Sequence, residues 1–261
     1  MTIARELVSY ITQTVTHTNG LPISIGVVTF LSNKFANSNS NFEWGTPVAE
    51  HRFNPEFLTQ FSTIMDKVEA DTSLVGLIVT GEGKYFSNGV DISYVKAYPE
   101  APNALQKQVE VLMARILTLN MLTVCVMNGH TTAAGALLSL AFDYRYMHQR
   151  GFFFLPAVDL GIVYSQGFIE LVKAKVPDVR TQRDLMIVSK RYTSSELLDL
   201  GIIDKICGSG LDEAVVFLQS NAKRNKASLG EIKKRIYSTA YDTLTSETVS
   251  NMFWGALFAK L

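Results

Sequence analysis

The chain has 261 residues, enough for one large domain or a domain with a small appendage, and enough to bury a sizeable core. Lysine plus arginine and aspartate plus glutamate balance at 24 each. No global field therefore favours nucleic acid or an anionic membrane, although a local basic site for a phosphorylated ligand is compatible with this balance. Cys125 and Cys207 both lie in apolar runs, so neither a disulfide framework nor a metal-ligand spacing follows from them, and a reducing compartment is the plain reading. No apolar run reaches the length of a membrane span.

In chain order, Met1–Gly20 lacks the basic-then-apolar layout of a secretory signal. ISIGVVTFL (23–31) is rich in β-branched residues and reads as a strand, followed by a polar loop from Ser32 to Gly45. Asn54 is placed as an N-cap with Pro55 at the first helical position. Phe57, Leu58, Phe61, Ile64, Met65 and Val68 then recur at helical spacing. Leu74–Gly81 and Leu122–Gly129 are continuous apolar runs of strand length, as buried strands require. A long helix is expected around residues 103–119, a strand at 152–155, a helix near 167–175 and a helical C-terminal third. Strands and helices alternate at α/β spacing.

Three strand-to-loop junctions are candidates for chemistry. Thr80–Ile92 (TGEGKYFSNGVDI) carries glycines that permit close backbone approach, and Asp91 is placed to cap the next element. It lacks the glycine-lysine-hydroxyl ending of a phosphate loop, and taken alone it reads first as an ordinary tight loop. Asn128–Leu138 (NGHTTAAGALL) places small residues at a helix start, where free N–H groups bind anions or developing oxyanions; close helix packing accounts for the same residues. His130 is a base or ligand candidate there, with a structural role as the alternative. In Phe152–Ile162 (FFFLPAVDLGI) Pro156 ends the strand, and Asp159 is either an acid or a helix cap.

These junctions, in this order, resemble the enoyl-CoA hydratase/isomerase (crotonase) family over roughly Ser24 to Lys205. HRFNPEF, FSNGVDI and NGHTTAAG are most similar to the plant-type peroxisomal Δ3-Δ2-enoyl-CoA isomerases. The resemblance implies an α/β fold, a crotonase (ClpP-like) ββα-spiral core over 1–200, with a helical trimerisation region over 201–261. It implies a fatty acyl-CoA thioester as ligand, in β-oxidation, with coenzyme A as part of the substrate and no metal or redox cofactor. The backbone N–H groups of Val90 and Ala134 would hold the thioester oxygen as enolate charge develops. Arg52 is a candidate for a CoA phosphate, and the Asp91–Ile92 loop would lie near the adenine. A homotrimer or hexamer is implied, and the apolar MFWGALF (252–258) suits such contacts. Ala259-Lys260-Leu261 differs from a peroxisomal address by one small residue, so a peroxisomal import receptor is an expected partner and the peroxisome the expected location.

The two acidic positions of the family fall at Leu137 and Ala157, so neither carboxylate is present. A positioned base contributes about 10²–10⁴-fold, which Ala157 cannot supply. Hydration is therefore less expected than isomerisation. Three readings stand. Asp159, Tyr164, Ser165 or Glu110 replaces the missing base; the protein binds acyl-CoA without turnover, as a pseudoenzyme or partner subunit; or Ala157 is a disabling change. The neighbouring GIVYSQG (161–167) also departs from the family, which favours natural divergence.

Overall fold

The computed structural model describes residues 6–31, 50–223, 225–247 and 254. The expected loop 32–45, the terminal Ala259-Lys260-Leu261 and, apart from Trp254, the apolar run 252–258 lie outside the described residues.

Strands β1 (Val8–Thr16) and β2 (Pro22–Phe30) pair as an antiparallel hairpin, with Val8 opposite Phe30. The sequence reading assigned β1 no element, because its exposed face is mostly polar and carries no long apolar run. Helix α1 (Pro55–Ala70) forms as expected: the Asn54 side chain accepts the Phe57 N–H at 3.0 Å, and all six periodic apolar residues are buried.

The middle of the chain then repeats one pattern, a long strand, a short strand and helix. Strands β3 (Leu74–Gly81) and β4 (Tyr85–Ser87) precede α2 (Ile92–Ala97) and α3 (Pro102–Leu117). Strands β5 (Leu122–Met127) and β6 (His130–Thr132) precede α4 (Ala134–Leu140). Strands β7 (Tyr144–His148) and β8 (Phe152–Phe154) precede α5 (Gln166–Lys175). The long strands join one six-stranded sheet and the short ones a second sheet of four, so each repeat adds a strand to both.

The second half adds α6 (Val179–Met186), β9 (Tyr192–Thr193), α7 (Ser194–Asp199), β10 (Lys205–Cys207), α8 (Leu211–Asn221), α9 (Lys226–Ile236) and α10 (Ser238–Thr245). The large sheet runs β1-β2-β3-β5-β7-β10, parallel from β2 onward, and the small one β4-β6-β8-β9. Strands β3 and β5 are buried almost throughout, which is why they read as unbroken apolar runs. The helix behind the second junction ends at Leu140, and Tyr144–His148 pairs with β5 as β7. Helix α10 packs against α3 and α5.

Candidate active site

The first junction is held by a strap, residues 50–53, that zips onto 87–91. Asn88 N–H donates to Glu50 O at 2.8 Å, Phe53 N–H to Gly89 O at 2.8 Å and Asp91 N–H to Phe53 O at 3.0 Å. Ser87 Oγ donates to His51 O at 2.7 Å. His51 lies 2.9 Å from Phe86 O through Nδ1, and burial lowers its pKa, so the ring is neutral with its proton directed at that carbonyl. Because the Phe53–Val90 bridge uses the groups of Gly89 and Asp91, the N–H of Val90 faces the opposite side.

The second junction meets it there. Ala133 adopts φ 51°, ψ −129°, a conformation sparsely used by residues with a Cβ, while its N–H donates to Phe154 O at 3.1 Å. That turn starts α4 with Ala134, whose N–H has no acceptor within the helix. Gly89, at φ 75°, is packed so closely that a Cβ on it would stand 2.7 Å from Ala134 N. Among the described residues neither Val90 N–H nor Ala134 N–H donates a hydrogen bond. Both residues line one cavity of about 210 Å³.

The cavity wall is largely apolar: Ile92, Leu137, Phe154, Leu160, Ile162, Phe168 and Trp254 all contribute. Its polar members are Arg52, Asn88, Gln106, Thr132 and Tyr164. Glu50 organises three of these. Its Oε2 accepts Arg52 Nε at 2.6 Å and Asn88 Nδ2 at 2.9 Å, and Asn88 Oδ1 accepts Thr132 Oγ1 at 2.5 Å. The two junctions are thereby tied together by side chains as well as by packing.

The structure separates the candidate bases. Leu137 and Ala157 are buried and both line the cavity, so the two positions face it without acids. Asp159 does not join them: it is exposed in the turn after Pro156, outside the cavity wall, because Leu160 N–H and Ile162 N–H fold back onto Ala157 O. Tyr164 lines the cavity and accepts Ala157 N–H at 3.3 Å, but burial pushes its phenol further up, so it keeps its proton. Ser165 caps α5 and is buried against Glu110 rather than in the wall. Glu110 is 4 % exposed, and burial raises its pKa despite hydrogen bonds from Ser165 and Gln106. It stands directly behind Gln106, which does line the cavity.

Of the CoA candidates, Arg52 and Ile92 line the cavity, whereas the Asp91 carboxylate is engaged as the N-cap of α2, accepting Ser93 N–H at 3.1 Å and Tyr94 N–H at 3.2 Å. His130 lies outside this cavity, stacked on Phe152. Sequence reasoning missed Glu50, Asn88, Gln106, Thr132 and Trp254. No local pattern marks them, since their partners come from distant parts of the chain.

The model of the family described as enoyl-CoA hydratase/isomerase matches residues 45–254, most of the chain. The chain belongs to this family. Among similar proteins, the Arabidopsis thaliana protein named enoyl-CoA delta isomerase 2, peroxisomal, is 32% identical over 206 residues, covering 75% of this chain and 85% of that one. The Arabidopsis protein named enoyl-CoA delta isomerase 1, peroxisomal, is 29% identical over 166 residues, covering 62% and 69%. A solved enoyl-CoA hydratase from Mycobacterium ulcerans superposes with a TM-score of 0.75 at 18% identity, covering 92% of this chain and 95% of that one. The fold is therefore the crotonase fold expected from the motifs. The family match extends into the C-terminal third, beyond Lys205, where the motif resemblance ended.

Proposed function

We propose that this protein binds fatty acyl-CoA thioesters and shifts the double bond of 3-enoyl-CoA to the 2-position, as an isomerase of β-oxidation in the peroxisome, acting as a trimer or pair of trimers. The observation that carries this reading is the pair of N–H groups of Val90 and Ala134, both without acceptors among the described residues and both facing an apolar cavity. Such donors stabilise a thioester oxygen most when enolate charge builds up on it, and so lower the barrier to removing a proton from C2.

Hydration fits less well. It requires a carboxylate beside the reacting carbons to activate water, and the positions that face them hold Leu137 and Ala157. Arg52, whose side chain is 35 % exposed while paired with Glu50, offers a guanidinium edge to a CoA phosphate. The similarity to the peroxisomal Arabidopsis isomerases supports the location.

A second reading has its own observation. No described residue lining the cavity is a carboxylate, so the protein would also serve as an acyl-CoA binder without turnover. A paired assay separates the two: 3-enoyl-CoA isomerisation and acyl-CoA affinity, measured on the natural protein and on Ala157→Glu. Turnover by the natural protein supports the isomerase. Binding with turnover only in Ala157→Glu overturns it in favour of the binder.

A further inference from the structure

Glu110 is a buried carboxylate whose ion-pair partner stands at the far limit of contact. Its Oε1 accepts Gln106 Nε2 at 2.9 Å and the hydroxyl of Ser165. Lys107, its charged neighbour, is 3.8 Å away through Nζ, and that ammonium makes closer bonds to Leu244 O at 2.9 Å and Ser246 O at 2.7 Å. A carboxylate withdrawn from water without a close cation lowers stability, and groups held in that state cluster at functional sites.

Glu110 also stands next to the cavity wall. Gln106, one turn earlier on α3, is a cavity wall residue, and Ser165 directly follows Tyr164, another wall residue. Helix α5 packs closely on the carboxylate: a Cβ on Gly167 would lie 3.2 Å from Glu110 Oε1. Glu110 is thus one side chain behind the cavity, between the two helices that bound it. Among the candidates placed by the structure, Asp159 is outside the wall and Tyr164 retains its proton.

We propose that Glu110 is the proton carrier of the isomerisation, entering the cavity past Gln106 in place of the acid missing at Ala157. The proposal rests on the isomerase reading. Glu110 takes a proton from C2 of the bound 3-enoyl thioester; the C2–H electron pair becomes the C1–C2 double bond and the carbonyl pair moves to the oxygen held by Val90 and Ala134. The carbonyl then re-forms, the C1–C2 pair moves to C2–C3, and the former C3–C4 pair takes the same proton at C4. The carboxylate is restored and no further reactant is needed.

The test compares the natural protein with Glu110→Gln for 3-enoyl-CoA turnover, C2 hydrogen exchange in heavy water, acyl-CoA affinity and Tm. The expected result is a loss of turnover and exchange of about 10²–10⁴-fold, with affinity within about twofold and Tm unchanged or raised. Turnover retained within about tenfold overturns the proposal. So does a loss that tracks a fall in Tm or affinity, which would make Glu110 structural. A natural protein that binds acyl-CoA without turnover or exchange sinks the isomerase reading itself, and the proposal with it. Ser165→Ala gives a readout that a structural role would not move. Its hydroxyl holds the carboxyl down, so its removal shifts the acid limb of kcat/KM to higher pH. The charged group facing Glu110 there is Lys107, while α5 and α10 present Ser165 and Leu244; an unmoved limb counts against Glu110.

Discussion

At Gly89 the chain has a positive φ and a neighbour's amide where a side chain would go, and both bear on the proposed oxyanion pair of Val90 and Ala134. Gly89→Ala forces its Cβ to within 2.7 Å of Ala134 N and 2.8 Å of Ala133 Cβ unless one loop shifts. Turnover is expected to fall by about 10²-fold or more, as when one oxyanion donor is misaligned; steady-state kinetics at saturating acyl-CoA would check it. Glu110 also bears on stability. Its carboxyl is raised above the ordinary 4.5, chiefly by burial, so the folded protein holds that proton more tightly than the unfolded chain. This contribution therefore favours folding at low pH and fades as pH rises from about the ordinary value through the folded one. The lowered carboxyls of Glu196, Glu213, Asp71 and Asp178 work in the opposite sense. Only the difference between the natural protein and Glu110→Gln isolates the effect: in Tm scans against pH, the variant is expected to gain relative stability across that window.

At the scale of elements, the site depends on how α1 begins. Asn54 caps α1 and directly follows Phe53, the residue bridged to Val90, so the cap fixes the end of the strap that orients the Val90 N–H. Asn54→Ala removes the acceptor of Phe57 N–H and is expected to cost about 1 kcal/mol of stability, read by urea titration. Because the strap's own backbone bonds survive, the loss of turnover should be smaller than that of Gly89→Ala. Helices α3 and α5 have a different task, since they carry the wall residues Gln106 and Phe168 and enclose Glu110 between them.

For the molecule as a whole, the buried ion pair between Lys233 and Asp143 joins the C-terminal helices to the large sheet. Lys233 Nζ lies 2.5 Å from Asp143 Oδ2 and 2.6 Å from Met121 O, and Asp143 also accepts Thr123 N–H at 2.8 Å. Lys233→Met leaves a half-buried carboxylate without its cation, at an expected cost of about 3 kcal/mol, the lower end of what breaking a buried pair costs. Chemical denaturation would measure it. Acyl-CoA affinity should weaken as well, because Trp254, beyond these helices, forms part of the cavity wall. A variant with unchanged stability would show that the pair is not what anchors the C-terminal helices.

The sequence by itself determined the features whose causes are local. Asn54 and Pro55 start α1, the apolar runs 74–81 and 122–127 lie in buried strands, Asp91 caps α2, and the glycine-rich junctions form the two loops of the crotonase fold. The motif resemblance, in turn, set Leu137 and Ala157 at the two positions where it implies acids. The sequence did not reveal β1, whose pairing with β2 gives it structure, nor where α4 stops and β7 begins. Only the tertiary structure set Asp159 outside the cavity and Glu110 behind its wall. The reason is physical: Glu110 meets Ser165 across 55 residues, and Asn88 meets Glu50 across 38. Which side chains share a wall is decided by how helices and sheets pack, and that packing leaves no periodic trace in the chain.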